Sequence, residues 1–581
     1  MGKQRIRKRL ISILLLCCLL CQTVFMLTGC NTKPNVRTKV KKPEKITTLN
    51  VYDSLSSYYG VQKGWMAQYL KDKFNVKLNI ITGMELSNKE KKNEIKNADI
   101  IIFRDIDNEY KDAVKDGILY DWNQNELLAE HGEYIQEHME DALKANQACN
   151  DKILAATGSA IYGIGNDVAW SDKDHQEFTY SWDVRWDLYQ KLDSPDIENL
   201  QDYSKMLKDL NELNISETED EKDNDGKEKT YAVSVWSDWD DEAGMVNCVK
   251  DMVSAYYGYE AAGLGFYDSV NDKYIGLFDE DSPYLEMMQY FNDLYRNGLL
   301  DPASKNQKYD DVVNKVKAGN VLTSLNSYTG SDIYNTQERI SDDNMMLSLK
   351  PDDAKPLVYG INKNGNGQIT AIGGSTKYPE LCMDILDYFV TPEGRMTMSY
   401  GPRAVTWDYD ENGNIHFTEF GKKCQEDEKT SMEEPFTGSY IDGTLKAALS
   451  SWSIDAENPD SNSETYNKDK WGANIENPSC ALEQEWRDYN NCDNREKYFE
   501  KKGCVVVQDY SDVIEIPELY EKKWAEISKK IISETWEAIY SDSDNEYNRV
   551  VDNMIKEAHK NAYDRCVWWW RGKMAAMKTQ D

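Results

Sequence analysis

The chain has 581 residues, long enough for two large units with ample core, and a formal net charge of −34. That charge is uneven, because 11 of the 68 Lys and Arg, and only one acid, Glu44, fall within residues 1–46. The remainder is therefore more acidic still, a surface that repels nucleic acid and anionic headgroups, while the basic stretch NTKPNVRTKVKKPEK can lie against a membrane.

The first element is MGKQRIRKR followed by the apolar run LISILLLCCLLCQTVFM. Its length approaches the ~20 residues that span a bilayer. The next residues point elsewhere, since Leu27-Thr28-Gly29-Cys30 sets small residues before a cysteine, in the order of an export signal. This resembles the bacterial lipobox. The resemblance implies a signal peptide over residues 1–29, cleavage before Cys30, acylation (palmitate) of that residue, and a basic linker over 30–46. Each buried acyl methylene contributes ~0.8 kcal/mol, so two or three chains hold a protein on a membrane where one holds it marginally. An uncleaved anchor is the alternative. Of the 12 Cys, eight follow Cys30 with no Cys-x-x-Cys spacing, and Cys492 with Cys504 is a local pairing option.

From Thr48 the pattern alternates: ITTLNVYD is expected as a strand, GWMAQYLKDKF as a helix, VKLNIIT as a second strand and ADIIIF as a third. The last is a continuous apolar run of the kind buried on both faces of a parallel sheet. In such open α/β sheets ligands sit beyond the carboxyl ends of the strands. Those ends carry Tyr58, with Asp53 to Ser57 before it, and Arg104-Asp105. Further on, Ser282 reads as a helix N-cap with Pro283 in the first turn, Leu285, Met288 and Tyr295 on one face and Gly298 at the end. Cys382, Ile385, Leu386 and Phe389 form another apolar stripe, and Thr391-Pro392-Glu393 restarts a helix that stops at Gly401. SETEDEKDNDGKEK, residues 216–229, is expected as an exposed loop, and the last hundred residues are strongly helical.

Taken together, the lipobox, RWDLYQKL (185–192), YFNDLYRNGLLDPAS (290–304) and DILDYFVTPEGRMTMSYGP (384–402) resemble the extracellular solute-binding lipoproteins of bacterial ABC importers, family 1, carbohydrate type, from Gram-positive bacteria. The resemblance implies an α/β, two-lobed periplasmic-binding-like fold of type II. Each lobe is a helix-flanked β-sheet, the hinge is crossed more than once, and the C-terminal region is helical. The expected partition is 47–158 plus 371–430 for lobe 1 and 159–370 plus 431–581 for lobe 2, with AATGSAIYGIG as the first hinge crossing. It further implies a monomer on the outer face of the cell membrane that captures an oligosaccharide and delivers it to the transmembrane subunits of a permease, with no catalysis and no cofactor. A surface glycoside hydrolase and a ligand-sensing lipoprotein are the competing readings.

The ligand class has its own support in 16 Trp and 37 Tyr against 12 Phe, flat apolar faces with polar edges that suit sugar rings. Candidate ligand residues are Trp182 and Arg185 in SWDVRWD, Trp236, Trp239 and Asp240 in SVWSDWDD, Tyr58, Arg104 and Asp105 in the first lobe, and Tyr400 and Arg403 after the TPEGR helix. Arg185 has a competing reading, a salt bridge to Asp183 or Asp187. Two acidic loops bear on calcium. DYDENGNIHFTE matches the spacing of a calcium loop through Asp408, Asp410, Asn412 and Glu419, yet it also reads as two short strands about an Asn-Gly turn. Asp223 and Asp225 form the second, weakened by Lys227 and Lys229. No His-Glu-x-x-His, nucleophile elbow, phosphate loop or dinucleotide fingerprint occurs.

Overall fold

The computed structural model describes residues 42–84, 86–220, 229–475, 477–507 and 516–577. The signal segment, Cys30, Asp223 and Asp225 lie outside the described residues. In chain order the main strands are β1 (Thr47–Asp53), β2 (Gly60–Val61), β3 (Val76–Thr82), β4 (Ile100–Phe103), β5 (Gly163–Gly165), β6 (Tyr180–Arg185), β7 (Thr323–Asn326), β8 (Met346–Ser348) and β9 (Ile369–Ile372). The principal helices are α1 (Gly64–Phe74), α2 (Asn88–Asn97), α3 (Asn247–Tyr257), α4 (Pro283–Arg296), α5 (Tyr309–Ala318), α6 (Pro379–Val390), α7 (Pro392–Tyr400), α8 (Arg495–Lys502) and α9 (Glu518–Ile539).

The first sheet has the order β2-β3-β1-β4-β9-β5. β1 runs parallel to β3 and β4, as strand, crossover helix and strand require, and β9 runs antiparallel to β4 and β5. β4 is buried on both faces: Ile100 and Ile102 join Leu49, Val51 and the α1 residues Trp65 and Leu70, while Ile101 and Phe103 join Tyr52 and Ile369 on the other side. The apolar stripe of α6 and the Thr391 cap of α7 stand as the sequence suggests, Thr391 accepting from the Gly394 N–H.

The second sheet is β7-β6-β8, antiparallel throughout, and single bridges from Tyr231 to Val321 and from Val233 to Leu300 widen it on the β7 side. α3, α4 and α9 supply its core. In α4 Ser282 caps the N-terminus, but the buried stripe is Tyr284, Met287, Met288, Phe291 and Leu294, with Leu285 and Tyr295 at its margin.

The two large cores divide the chain into two α/β lobes, each a helix-flanked sheet. One core draws on residues from Leu49 to Val168 and from Ile372 to Trp471, the other on residues from Phe178 to Val358 and from Leu482 to Met574. The expected partition is thereby corrected at three boundaries. Residues 159–168, 369–370 and 431–471 belong with lobe 1. AATGSAIYGIG is not the crossing, because Gly163–Gly165 is β5, edge strand of the first sheet. A Cβ on Gly163 would lie 2.4 Å from the Thr370 carbonyl oxygen, so Gly163 serves close approach rather than a hinge.

Three segments pass between the lobes: 169–177, 359–368 and 472–480. The first two run side by side, with Gln176 N–H donating to Tyr359 O at 2.8 Å and Ile361 N–H to Asp174 O at 3.0 Å. Beside them an ion network joins the lobes, Lys470 lying 3.3 Å from Asp455 of lobe 1 and 3.1 Å from Glu496 on α8 of lobe 2. All eight described cysteines are separate thiols. Among the described residues no helix is long and apolar enough to cross a membrane.

Candidate ligand-binding cleft

Both sheets turn the same kind of edge toward the crossings. In lobe 1 the chain leaves from β5 and re-enters at β9, where Ile369 pairs with Gly165 and Phe103, the edge at which β1 and β4 also end. In lobe 2 the first crossing feeds β6 at Tyr180, opposite Asn326, the last residue of β7. The carboxyl ends of β1 and β4 therefore border one side of the cleft, and those of β7 and the 231–235 segment border the other, the position at which open α/β sheets present their ligands.

On the lobe 1 side, Asp53 is fully buried and organises the wall. Its Oδ1 accepts from the N–H groups of Leu55 (2.7 Å) and Ser56 (3.0 Å), and its Oδ2 from that of Ala448 (2.7 Å). Burial pushes its carboxyl above the ordinary range while these donors pull the other way. Ser56 Oγ adds a bond to Lys446 O at 2.7 Å, so the loop after β1 and the 446–448 segment are fixed together. Arg104 is exposed beside Ser54, at the rim of a hollow of about 940 Å³ between α2 and the turn after β4. Asp105 caps that turn, accepting from Asp107 N–H (3.1 Å) and Asn108 N–H (3.2 Å). Tyr58 is half-buried and donates to Val61 O at 2.8 Å.

On the lobe 2 side four aromatic rings form a shelf. Trp239 stacks on Tyr309 with centroids 5.1 Å apart and planes 17° from parallel, Trp236 meets both edge-on at 5.0 and 5.5 Å, and Tyr328 closes the group at 6.2 Å from each of the other three. Trp236 and Trp239 come from the turn after the 231–235 segment, Tyr309 from the start of α5, and Tyr328 from just past β7. Trp236 is buried, whereas Trp239, Tyr309 and Tyr328 each keep part of their surface in solvent. Behind the shelf, between sheet and helices, lies a cavity of about 60 Å³ lined by Trp236, Asn326, Asp251 and the apolar Val235, Met252 and Phe291 among others.

The structure thus brings together two of the aromatic candidates and adds Tyr309 and Tyr328, which the sequence pattern does not single out. The strand TSLN is short and barely alternates, so its end, and Tyr328 just beyond it, carries no signal of position.

Four other candidates are taken up by the protein itself. Trp182 is in the core, its Nε1 donating to Ala255 O (3.3 Å) and its ring packed edge-on against Tyr203. Arg185 forms the two-pronged salt bridge to Asp187 (2.8 and 2.6 Å). Tyr400 is buried, donating to Tyr466 O at 2.8 Å. Asp240 turns inward to accept from Asn247 N–H (2.8 Å) and Trp536 Nε1–H (2.7 Å). Arg403 is exposed and paired with Asp408 at 2.8 Å.

Asp240 yields a pH prediction. Burial pushes its carboxyl up to about 6 from an ordinary 3.8. Between those values the folded chain binds more proton than the unfolded one, so stability from this group is lost as pH rises from about 4 to 6. Against an Asp240→Asn variant, denaturant unfolding should show the parent losing about 2 kcal/mol between pH 4 and pH 7. A pH-independent difference would mean that Asp240 stays charged throughout.

The donors proposed for calcium do not converge. Residues 407–409 and 415–417 form the hairpin, Asp408 is held by Arg403, Asp410 accepts from the N–H groups of Asn412 (2.8 Å) and Asn414 (2.9 Å), and Glu419 opens a helix beside Lys422. Among the described residues His175, Glu496 and Glu500 do lie with ligand atoms within 4.8 Å of one another, but Lys470 already answers Glu496.

No protein-family model matches the chain, and no curated protein matches it. Solved structures do. An HMO-binding, ABC-transporter associated solute-binding protein from Bifidobacterium longum infantis is similar at 12% identity over 92% of this chain and 99% of that one, with a TM-score of 0.47. The alginate-binding protein AlgQ2 is similar at 13% identity, covering 92% and 99%, with a TM-score of 0.41. The S. pneumoniae ABC-transporter substrate-binding protein FusA, as an EF-hand mutant with fructo-nystose, is similar at 13% identity, covering 92% and 100%, with a TM-score of 0.40.

Proposed function

We propose that this chain is the extracellular solute-binding subunit of an ABC importer, that it captures an oligosaccharide between its lobes and hands it to a permease, and that it is tethered to the outer face of the membrane through Cys30. The observation that carries the reading is the aromatic shelf at the cleft-facing end of the second sheet. Partly exposed indole and phenol faces bind the CH faces of sugar rings while hydroxyls find polar partners across the cleft. Lobes joined by three neighbouring segments close by small backbone changes at the crossings, which encloses the ligand. The acidic surface favours a neutral glycan over a polyanion.

The carboxylates beside the cleft support binding without chemistry. Asp53 and Asp105 on the lobe 1 side, and the inward-turned Asp240 of lobe 2, each accept hydrogen bonds from the chain's own N–H groups. A glycosidase needs two carboxyl groups free to face the scissile bond. Isothermal titration against a panel of neutral oligosaccharides, with the ligand recovered and weighed by mass spectrometry, tests the reading. Saturable, reversible binding of an unchanged glycan is expected. A shortened product would overturn it in favour of a hydrolase.

A further inference from the structure

We infer that Gln307 is the positioning residue of the aromatic shelf, holding the segment that carries Tyr309 against the segment that carries Trp236 and Trp239; this rests on the reading of the shelf as a glycan platform and says what sets its geometry. Gln307 lies two residues before Tyr309, and its side chain reaches the 231–235 segment just ahead of Trp236. Its Nε2 donates to Ser234 Oγ at 2.7 Å and to Val235 O at 2.6 Å, and its Oε1 accepts from Lys315 Nζ, on α5, at 2.8 Å. Ser234 Oγ and Lys315 Nζ both donate to Asp301 Oδ2, at 2.7 and 2.6 Å, which closes a ring of hydrogen bonds over four side chains. Gln307, Ser234 and Asp301 are only 6%, 6% and 2% exposed, so the ring is sealed from bulk water on most of its circumference.

The ring permits one arrangement. A lysine ammonium only donates and a backbone carbonyl only accepts, so the Gln307 amide must turn its oxygen to Lys315 and its nitrogen to Val235. Burial by itself would raise the Asp301 carboxyl, yet Lys315, the Ala303 N–H and Ser234 bring it below the ordinary carboxylate range. A buried ion pair of this kind adds little net stability over apolar packing. A fully satisfied network does fix geometry, and the shelf depends on geometry. Trp239 stacks on Tyr309 at 17° across the join between the two segments. Two further bonds cross the same join, Ser237 N–H to Gln307 O at 3.2 Å and Tyr309 N–H to Asp238 Oδ1 at 3.1 Å. Gln307 thus meets the opposite segment through both its backbone and its side chain, and any shift in it moves Tyr309 against Trp236 and Trp239.

The test is Gln307→Met, which keeps the bulk of the side chain, leaves the Asp301–Lys315 pair in place and removes the link to Ser234 and Val235. Two quantities are measured on the purified protein. One is affinity, by isothermal titration with the tightest-binding member of a panel of cellotriose, maltotriose, mannotriose and xylotriose. The other is the circular-dichroism couplet of the edge-on Trp236–Trp239 pair, isolated as the difference from Trp239→Phe. In Gln307→Met affinity should fall about ten-fold and the couplet should shrink. Ser282→Ala controls for stability: it removes the cap of α4 in the same lobe, so the unfolding midpoint should drop while affinity and couplet keep their parent values. Ser234→Ala breaks the ring but spares the Gln307–Val235 bond, so it should lose less affinity than Gln307→Met, and it carries the test if Gln307→Met does not fold. Parent-like affinity and couplet in the folded Gln307→Met protein, or in Ser234→Ala where that variant carries the test, overturn the inference, as does an equal loss in Ser282→Ala; the glycan-receptor reading then stands. If the parent protein binds none of the four trioses, the glycan reading of the shelf and the inference fall together.

Discussion

Replacing Trp239 with alanine should weaken glycan binding by about ten- to a hundred-fold, or roughly 1–3 kcal/mol, in isothermal titration. Trp239 is the member of the shelf whose ring is stacked face to face with Tyr309 and still partly open to solvent. Truncation removes a flat face that a sugar can cover and leaves Tyr309 without its neighbour. It leaves the core intact, so the unfolding midpoint should move little. Trp182→Ala is the instructive contrast: that ring is 1% exposed within the second core, and its loss should cost about 3–5 kcal/mol of stability. An unchanged affinity in Trp239→Ala, with the variant folded, would return Trp239 to the packing of its own lobe.

Asp53→Ala should destabilise the first lobe by about 2–4 kcal/mol in denaturant unfolding. The carboxylate is wholly buried and gathers three backbone donors, two from the loop after β1 and one from Ala448, almost four hundred residues later. Without it those N–H groups lose their acceptor, and the loop separates from the 446–448 segment. Because that loop borders the cleft, glycan affinity should fall along with stability. Asp53→Asn retains one acceptor atom and should be milder, but not neutral, because its amide nitrogen cannot accept from the donors it then faces. If Asp53→Ala unfolds at the same denaturant concentration as the parent, the three bonds are replaced by water and contribute nothing net.

Much of the fold is legible in the chain itself, and for stated reasons. The alternation of ITTLNVYD, GWMAQYLKDKF and VKLNIIT encodes parallel strands about a helix because burial period follows local geometry, and β1 and β3 pair in parallel register over their whole length. ADIIIF encodes a central strand because both its faces lack polar side chains. Ser282 and Thr391 encode helix starts because the capping hydroxyl lies within three residues of the N–H it serves. The lobe boundaries are less legible. Glycines at 158, 163 and 165 resemble a flexible joint, yet Gly163 is required by the approach of β9, which arrives two hundred residues later.

The candidate site divides along the same line. Sequence by itself determined an acidic chain rich in Trp and Tyr, built of α/β units, with Trp236 and Trp239 in one short aromatic turn. It also held the Arg185–Asp187 pair as one of two readings, since those residues are neighbours in the chain. Only the tertiary structure decided that Asp240 accepts from Trp536, that Tyr400 is sealed beneath Tyr466, and that Tyr309 and Tyr328 complete the shelf. The physical reason is range. Periodicity, caps and turns act over a few residues and are written locally, whereas which face of a ring stays open depends on packing partners from distant segments, and those are chosen by the whole fold.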